Sequence, residues 1–369
     1  MLYNLLFGTG PLSDPNMHIQ IEKLNLLGDA LDERLNRAFL DHETFNLQYG
    51  ADWLRNLALH ALGEHDKAVI FIARLSPENF IACPLKLNSK HKHAHSLSTF
   101  YTSAYSPIIC SDTPQVLFRS LFEHLAKVEK LSTLTLSPMD HSSAGFGFVQ
   151  RALPQSGWKA CHDFFCFGNW IHAMQDSAYE PYLSTRPSTL RNTVARKTRK
   201  FLKGEKGQLE IVQGGDKLAL AINQFVTVYN NSWKIAEPYP DFVPALLRLS
   251  ATRGWLRLGM AYYDGTPVAS QIWLVSKGTA YIFKLAYDED YQRLSAGTVL
   301  TAYMMQKVIE EDNVRNIDYL SGDDAYKADW MSQRKKQHGI AAFNPRTLGG
   351  LGLIASHKLK QLAKAILRK

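Results

Sequence analysis

Residues 254–288 read GWLRLGMAYYDGTPVASQIWLVSKGTAYIFKLAYD, and residues 289–311 continue EDYQRLSAGTVLTAYMMQKVIEE. Asp264-Gly265 and Lys277-Gly278 separate three β-rich apolar runs. Asp-Gly between such runs predicts a tight hairpin, because that turn needs positive φ at both central residues. The reading is a three-stranded meander of roughly eight residues a strand. Behind it, a polar loop holding Ser295 and Gly297 opens into a helix with Val299, Leu300, Tyr303, Met304 and Val308 among its apolar positions. The first N–H groups of a helix lack partners within it and carry partial positive charge, so a helix entered through a small-residue turn suits a phosphate. An ordinary Ser/Gly helix start reads the same way, and the loop alone does not separate the two.

The order strand, strand, strand, small-residue loop, helix, strand is that of the GNAT acyltransferases. Gln292-Arg293-Leu294-Ser295-Ala296-Gly297 resembles their pyrophosphate loop, Arg/Gln-x-x-Gly-x-Gly/Ala, with Ser295 in place of the first glycine. A short strand at Arg315 to Tyr319 then leads into LSGDDAYKADW at 320–330. Together with SWK at 232–234 and KLAYD at 284–288, this resembles the cellulose-biosynthesis (CelD/BcsL-type) acetyltransferase family, a GNAT relative close to the Fem-type peptidyl transferases. The resemblance covers about residues 180 to 340, and the family often has proline where Ala296 stands. It implies an α/β fold with mixed sheets in tandem GNAT-like lobes. It also implies acyl-CoA as co-substrate, held by Gln292, Arg293, Leu294, Ser295, Ala296, Gly297 and Thr298, with no metal. The acyl group would pass to an amine or hydroxyl of a sugar or cell-envelope or exopolysaccharide precursor, on the cytoplasmic side.

Transfer from a thioester needs a polarised carbonyl, a base for the acceptor proton and a proton route for the departing thiolate. Tyr326 stands roughly where many GNAT enzymes place a tyrosine acid, and the resemblance gives it that role. Asp324 is the acceptor-binding or basic group, and Asp318 is the reserve base. Gln271 and Lys284 are polar positions within apolar strands and suggest a polar cleft. For Lys284, a sheet-edge residue with its ammonium in water remains an equal reading. Trp233, Lys234, Gln271, Asp323 and Lys327 complete the expected substrate contacts; Asp323 or Asp324 before Ala325 also suits a helix cap. Two other classes stay open. A Fem-type transferase would take its aminoacyl group from charged tRNA, and a glycan- or lipid-binding module would use the same cleft without chemistry.

The formal charge of +8 is unevenly spread. Residues 186–206 carry a net +7 and residues 334–369 a net +9, which leaves −8 for the remainder. An acidic body with two basic segments does not indicate a diffuse nucleic-acid surface. The first basic segment reads as a solvated connector helix or as a positive wall for an anionic ligand. The second contains a basic amphipathic helix from Leu351 to Lys369, which either packs on its parent domain or touches an anionic membrane. Cys83, Cys110, Cys161 and Cys166 form no CxxC pair, so buried free thiols in a reducing cytoplasm are expected. MLYNLLFGTG lacks a basic region, and no apolar run approaches a membrane span.

The chain therefore divides into a degenerate N-terminal lobe at 1–180, a basic connector at 181–206, an acyltransferase lobe at 207–345 and a tail helix at 346–369. Residues 1–45 read as an irregular arm followed by polar, partly helical sequence. In the first lobe, a helix within 46–65, strands at 68–73 and 80–85, a helix at 117–128 and a strand at 133–136 echo the order of the later lobe. A further helix at 146–153 and strands within 158–171 complete it. Pro84 predicts that its strand ends there or lies at an edge. Ser142 to Gly147 read as a turn. His91, His93 and His95 alternate in HKHAH without nearby acid or cysteine support, which predicts a solvated loop rather than a metal site.

Overall fold

The computed structural model describes residues 18–88, 90–175 and 177–367, with side chains as far as residue 359. Residues 1–17 of the expected arm and the tail side chains from 360 onward lie outside the described residues. The first half of the chain contributes β1 (Gln20–Asn25), α1 (Glu33–Glu43), α2 (Ala51–His60), β2 (Asp66–Arg74), β3 (Phe80–Asn88), β4 (His93–Ser96) and β5 (Ile108–Cys110). It continues through α3 (Pro114–Lys127), β6 (Thr133–Asp140), α4 (Ala144–Gln155) and β7 (Lys159–Ala173). Helices α5 (Tyr179–Ser184) and α6 (Ser188–Leu202) lead to β8 (Gly207–Val212), α7 (Leu218–Asn230) and α8 (Phe242–Thr252). The second half ends with β9 (Leu256–Tyr263), β10 (Thr266–Ser276), β11 (Thr279–Tyr287), α9 (Ala296–Glu310), β12 (Asn316–Ser321), α10 (Ala325–Trp330), β13 (Gln333–Phe343) and α11 (Leu348–Leu367).

The predicted meander is present. Asp264 and Gly265 sit at φ 49° and 77°, and Lys277 and Gly278 at 50° and 78°, the paired positive φ that such turns demand. The strands join one sheet in the order β1-β2-β3-β4-β6-β13-β7-β12-β11-β10-β9-β8, with β5 paired to β3. The pairs β4/β6 and β11/β12 are parallel. Each is linked through a helix, α3 or α9 respectively. At the centre the two halves exchange their last strands. Strand β13, from the end of the chain, lies between β6 and β7, while β7 pairs with β12. The sheet thus crosses the sequence division at 180.

Three apolar clusters cover the sheet. Helices α3 and α4 pack on one face of the first half through Phe118, Leu121, Phe122 and Val149. Helices α5, α6 and α9 cover the corresponding region of the second half through Leu190, Val194, Leu300 and Met304. A third cluster joins both halves, with Leu35, Trp53, Phe225, Phe242 and Leu246 packed on strand residues such as Ile70, Leu258 and Ile272. The basic connector is therefore not a free-standing helix, because Leu190, Val194 and Phe201 bury one side of α6.

Several local expectations need correction. Pro84 lies inside β3, at the point where that strand's second edge changes partner. β5 reaches only to Ala82 and β4 begins at Leu85, so the missing N–H interrupts no ladder. His93 and His95 belong to strand β4 rather than a solvated loop. Ser143 caps α4 by accepting from the Phe146 N–H, so Ala144 to Gly147 open a helix. In α11, His357 stacks on His162 at 4.5 Å, while Leu351 and Leu359 are exposed.

Candidate active site

The meander delivers the chain into a 3₁₀ turn, Glu289–Leu294, which is anchored at its entry. Asp288 accepts from the Asp290 N–H and from Asn231 Nδ2 at 2.9 Å, tying the turn to α7. Ser295 then adopts the left-handed conformation, φ 56° and ψ 34°, and α9 starts at the next residue with no side-chain cap. The leading N–H groups of Ala296, Gly297 and Thr298 therefore point outward unpaired. They face a cavity of about 190 Å³ lined by Tyr287, Gln292 and Ser295 to Thr298. Arg293 and Leu294, predicted in the same loop, do not line it.

The helix start is held from behind. Gln271 on β10 donates to the Gly297 carbonyl at 2.9 Å and to Thr301 Oγ1 at 2.8 Å, and its own carbonyl accepts from Trp273 Nε1. Gln271 is 1% exposed, so these bonds fix α9 against β10 without competition from water. At Gly259 on β9, a Cβ would stand 2.6 Å from Met304 Sδ; glycine lets the helix approach the strand that closely.

β11 and β12 pair only from Thr279/Asn316 to Tyr281/Asp318 and then part. The gap holds a second cavity of about 310 Å³. Its lining brings together Trp233, Lys234, Gln271, Gly297, Thr298 and Tyr326. Tyr287, Gly297 and Thr298 line both cavities, so the loop of free N–H groups is continuous with the gap between the strands. Trp233 packs against Tyr287 with ring centroids 4.5 Å apart. Lys234 lies over Trp233 and Tyr229, and burial, reinforced by the Lys284 charge, brings its pKa down to about 8. Tyr326 is half-exposed and edge-on to Tyr319, and burial followed by the Asp324 charge pushes its pKa up to about 12. The phenol accordingly keeps its proton at neutral pH and can donate it.

The remaining predicted residues are dispersed. Lys327 is buried and donates to the carbonyls of Tyr319, Ser321 and Gly322, with Asp324 3.6 Å away. It thus holds the end of β12. Asp324 is at the N-cap of α10 but makes no capping bond, and its side chain is 61% exposed. Asp323 is paired with Arg334 on β13 and accepts from Trp170 Nε1. Lys284 lies on β11 beyond the point where β12 parts from it, yet its ammonium does not reach water. Its ammonium is buried against Glu237 at 2.7 Å, and Tyr101 of the first half donates to the other oxygen of that carboxylate. Asp318 faces away from the strand gap into a separate cavity of about 460 Å³ between the two halves. Its enclosure pushes its pKa up, while Asn169 and the Leu320 N–H at 2.6 and 2.7 Å act in the opposite sense.

Sequence reasoning missed Glu237, Tyr101, Tyr319 and Trp330. Glu237 stands in the EPYP segment after SWK, where its charge was a usable signal. Tyr101 comes from the other half of the chain and carried none.

A helix start with free donors, opening onto a parted pair of parallel strands, can be set beside known proteins. Residues 188–328 match the family model of an acetyltransferase (GNAT) domain. Among solved structures, FemX superposes with a TM-score of 0.58 at 11% identity, covering 86% of this chain and 96% of that one. A tandem GNAT protein from the clavulanic acid biosynthesis pathway gives 0.53 at 13% identity, with 89% and 100% covered. At such identities the likeness is one of fold, and it matches the tandem GNAT-like, Fem-type architecture expected from the element order. No curated protein matches the chain. Among the described residues, no helix is long and apolar enough to cross a membrane.

Proposed function

We propose that the protein transfers an acyl group from acyl-CoA to an amine or hydroxyl of a sugar or cell-envelope precursor, in the manner of the cellulose-biosynthesis acetyltransferases it resembles. The observation that carries this reading is the continuity of the uncapped α9 start with the gap between β11 and β12. The pyrophosphate sits on the N–H groups of Ala296 to Thr298, where the helix field favours an anion. The pantetheine arm then runs past Tyr287 into the gap, and the thioester reaches the Tyr326 hydroxyl.

The acceptor nitrogen or oxygen attacks the thioester carbonyl, a C–N or C–O bond forms, and the C–S bond breaks. Tyr326 donates its proton to the departing thiolate and regains one from the acceptor through solvent or Asp324. Lys234, cationic below about pH 8, adds attraction for the anionic co-substrate.

The test is CoA affinity, measured by calorimetry on the full chain and on Gly297→Pro. The substitution removes one N–H donor from the first helical turn, where the rest of the helix tolerates proline better than farther in. Affinity is expected to fall by roughly tenfold or more, with thermal unfolding showing that the variant is folded. Unchanged affinity in a folded variant rejects the loop assignment. Strongly salt-dependent RNA binding in place of CoA binding would favour a Fem-type, tRNA-dependent transferase.

A further inference from the structure

On the α4 side of the sheet, away from the acyl cavity, three side chains converge that the transfer reaction does not use. His141 follows β6 directly, and its N–H donates to the Lys336 carbonyl at 3.3 Å. Asp163 projects from β7 and His338 from β13, so the three come from neighbouring central strands. One nitrogen or oxygen from each lies within 4.8 Å of the other two. Among the described residues, no other set of three His, Cys, Asp or Glu side chains meets that spacing. The His141 and His338 rings are 4.4 Å apart, and His338 Nδ1 is 3.4 Å from Asp163 Oδ2.

Three observations separate this cluster from a chance surface grouping. His338 Nδ1 is buried and makes no hydrogen bond, a condition that calls for a partner. The pairing of β13 is irregular on both sides of His338, against β7 between Gln337 and His338 and against β6 between His338 and Ile340. Such interruptions re-aim a side chain at the cost of ladder bonds. They are accommodated at Gly339, where a Cβ would run into the Phe164 ring and stand 2.7 Å from Ser137 Cβ. Finally, apolar walls flank the cluster: Phe146 lies 4.9 Å from the His141 ring, and Phe165 lies edge-on to His338 at 5.7 Å.

We propose that His141, Asp163 and His338 bind a single divalent transition-metal ion of the zinc class. Two imidazoles and one carboxylate select such an ion over calcium or magnesium, which prefer all-oxygen sets. Zinc–donor bonds of about 2.0–2.1 Å put tetrahedral donors about 3.3 Å apart, so the side chains close by roughly 1 Å on binding. Three protein ligands leave one position for water or an anionic ligand. The site joins β6, β13 and β7, the strands at the exchange between halves, and its existence does not depend on acyl transfer.

The experiment uses the full chain, stripped with chelator and titrated with Co²⁺ by visible absorption and with Zn²⁺ by calorimetry. One equivalent is expected to bind, Zn²⁺ to displace Co²⁺, and Zn²⁺ to raise the unfolding temperature. His141→Ala and Asp163→Asn, both at exposed positions, each weaken binding by at least the roughly tenfold that loss of even an outer partner costs. His91→Ala leaves it unchanged. Failure to take up one saturable equivalent overturns the proposal. So does uptake that persists undiminished in the two folded variants, since the ion would then lie elsewhere.

Discussion

Each half of the sheet sends a strand through a helix and back into a parallel neighbour, yet the two helices begin differently. α9 starts after Ser295 in the left-handed conformation, uncapped, with three small residues at its tip and a cavity in front. α3 starts with Pro114 at its first turn, while Ser111 Oγ accepts from the Thr113 N–H just before it. Neither helix has a side-chain cap, but proline removes a donor that α9 keeps, and the Val116 N–H of α3 turns back to the Thr113 carbonyl at 3.2 Å. The path into α3 also runs through Tyr101 and Tyr105, both buried in packing, rather than through a short polar turn. Equivalent topology therefore does not produce equivalent chemistry. The start of the second helix can receive an anion, whereas the first serves as a support.

The sharpest way to break this comparison is Tyr326→Phe, which deletes the hydroxyl and keeps the ring against Tyr319. Thiol release from acetyl-CoA in the presence of amino sugars and hydroxylated glycans is expected to fall by about 10²–10⁴, with CoA affinity and thermal unfolding near the parent's. Turnover within about twofold of the parent would make Tyr326 a packing residue. The next largest contrast pairs two buried glutamines. Gln271 holds the α9 start, whereas Gln48 in the first half accepts from Ser103 N and Oγ and from the Ala104 N–H. Gln271→Met and Gln48→Met should each lower stability by about 1–3 kcal/mol, because buried partners lose their bonds. Only Gln271→Met should also weaken CoA. Equal loss of CoA affinity in both variants would erase the distinction between the halves.

A smaller effect concerns pH. The Lys234 pKa lies below its ordinary value, so the ammonium is present below about pH 8 and is lost as pH rises through that point. CoA affinity is expected to decline by a few-fold between about pH 7 and pH 9, and Lys234→Met should flatten the decline. An identical profile in the variant would remove Lys234 from the anion site. The smallest change is Ser295→Gly. It relieves about 1 kcal/mol of left-handed strain and adds comparable freedom to the unfolded chain, so stability should move by less than about 1 kcal/mol. CoA affinity should stay within about twofold; a larger fall would give the Ser295 hydroxyl a direct role in binding.

What the chain determined by itself was local. The two type I′-like turns follow from Asp264-Gly265 and Gly278, to which positive φ comes readily, while Lys277 takes it at the demand of the turn. Equally local are the small-residue entry to α9 and the apolar spacing that produced α2 and α3. SWK, KLAYD and the DDAYK segment indicated where to look for a cavity, and Trp233, Lys234, Tyr287 and Tyr326 do meet in one. Only the tertiary structure decided what long-range contact decides. The exchange of β7 and β13 between halves depends on strand pairing across 160 or more residues, for which no local residue carries a signal. Lys284 became a buried partner of Glu237 because that carboxylate and the rings of Tyr101 and Tyr229 close over its ammonium, and Lys327 became a clasp on β12 because its ammonium folds back onto carbonyls. His141, Asp163 and His338 are far apart in sequence and share a face only because β6, β13 and β7 are neighbours. Turn chemistry and periodicity act over a few residues and can be read directly; partners chosen by a long-range sheet and a packed core cannot, because their energies exist only once distant segments meet.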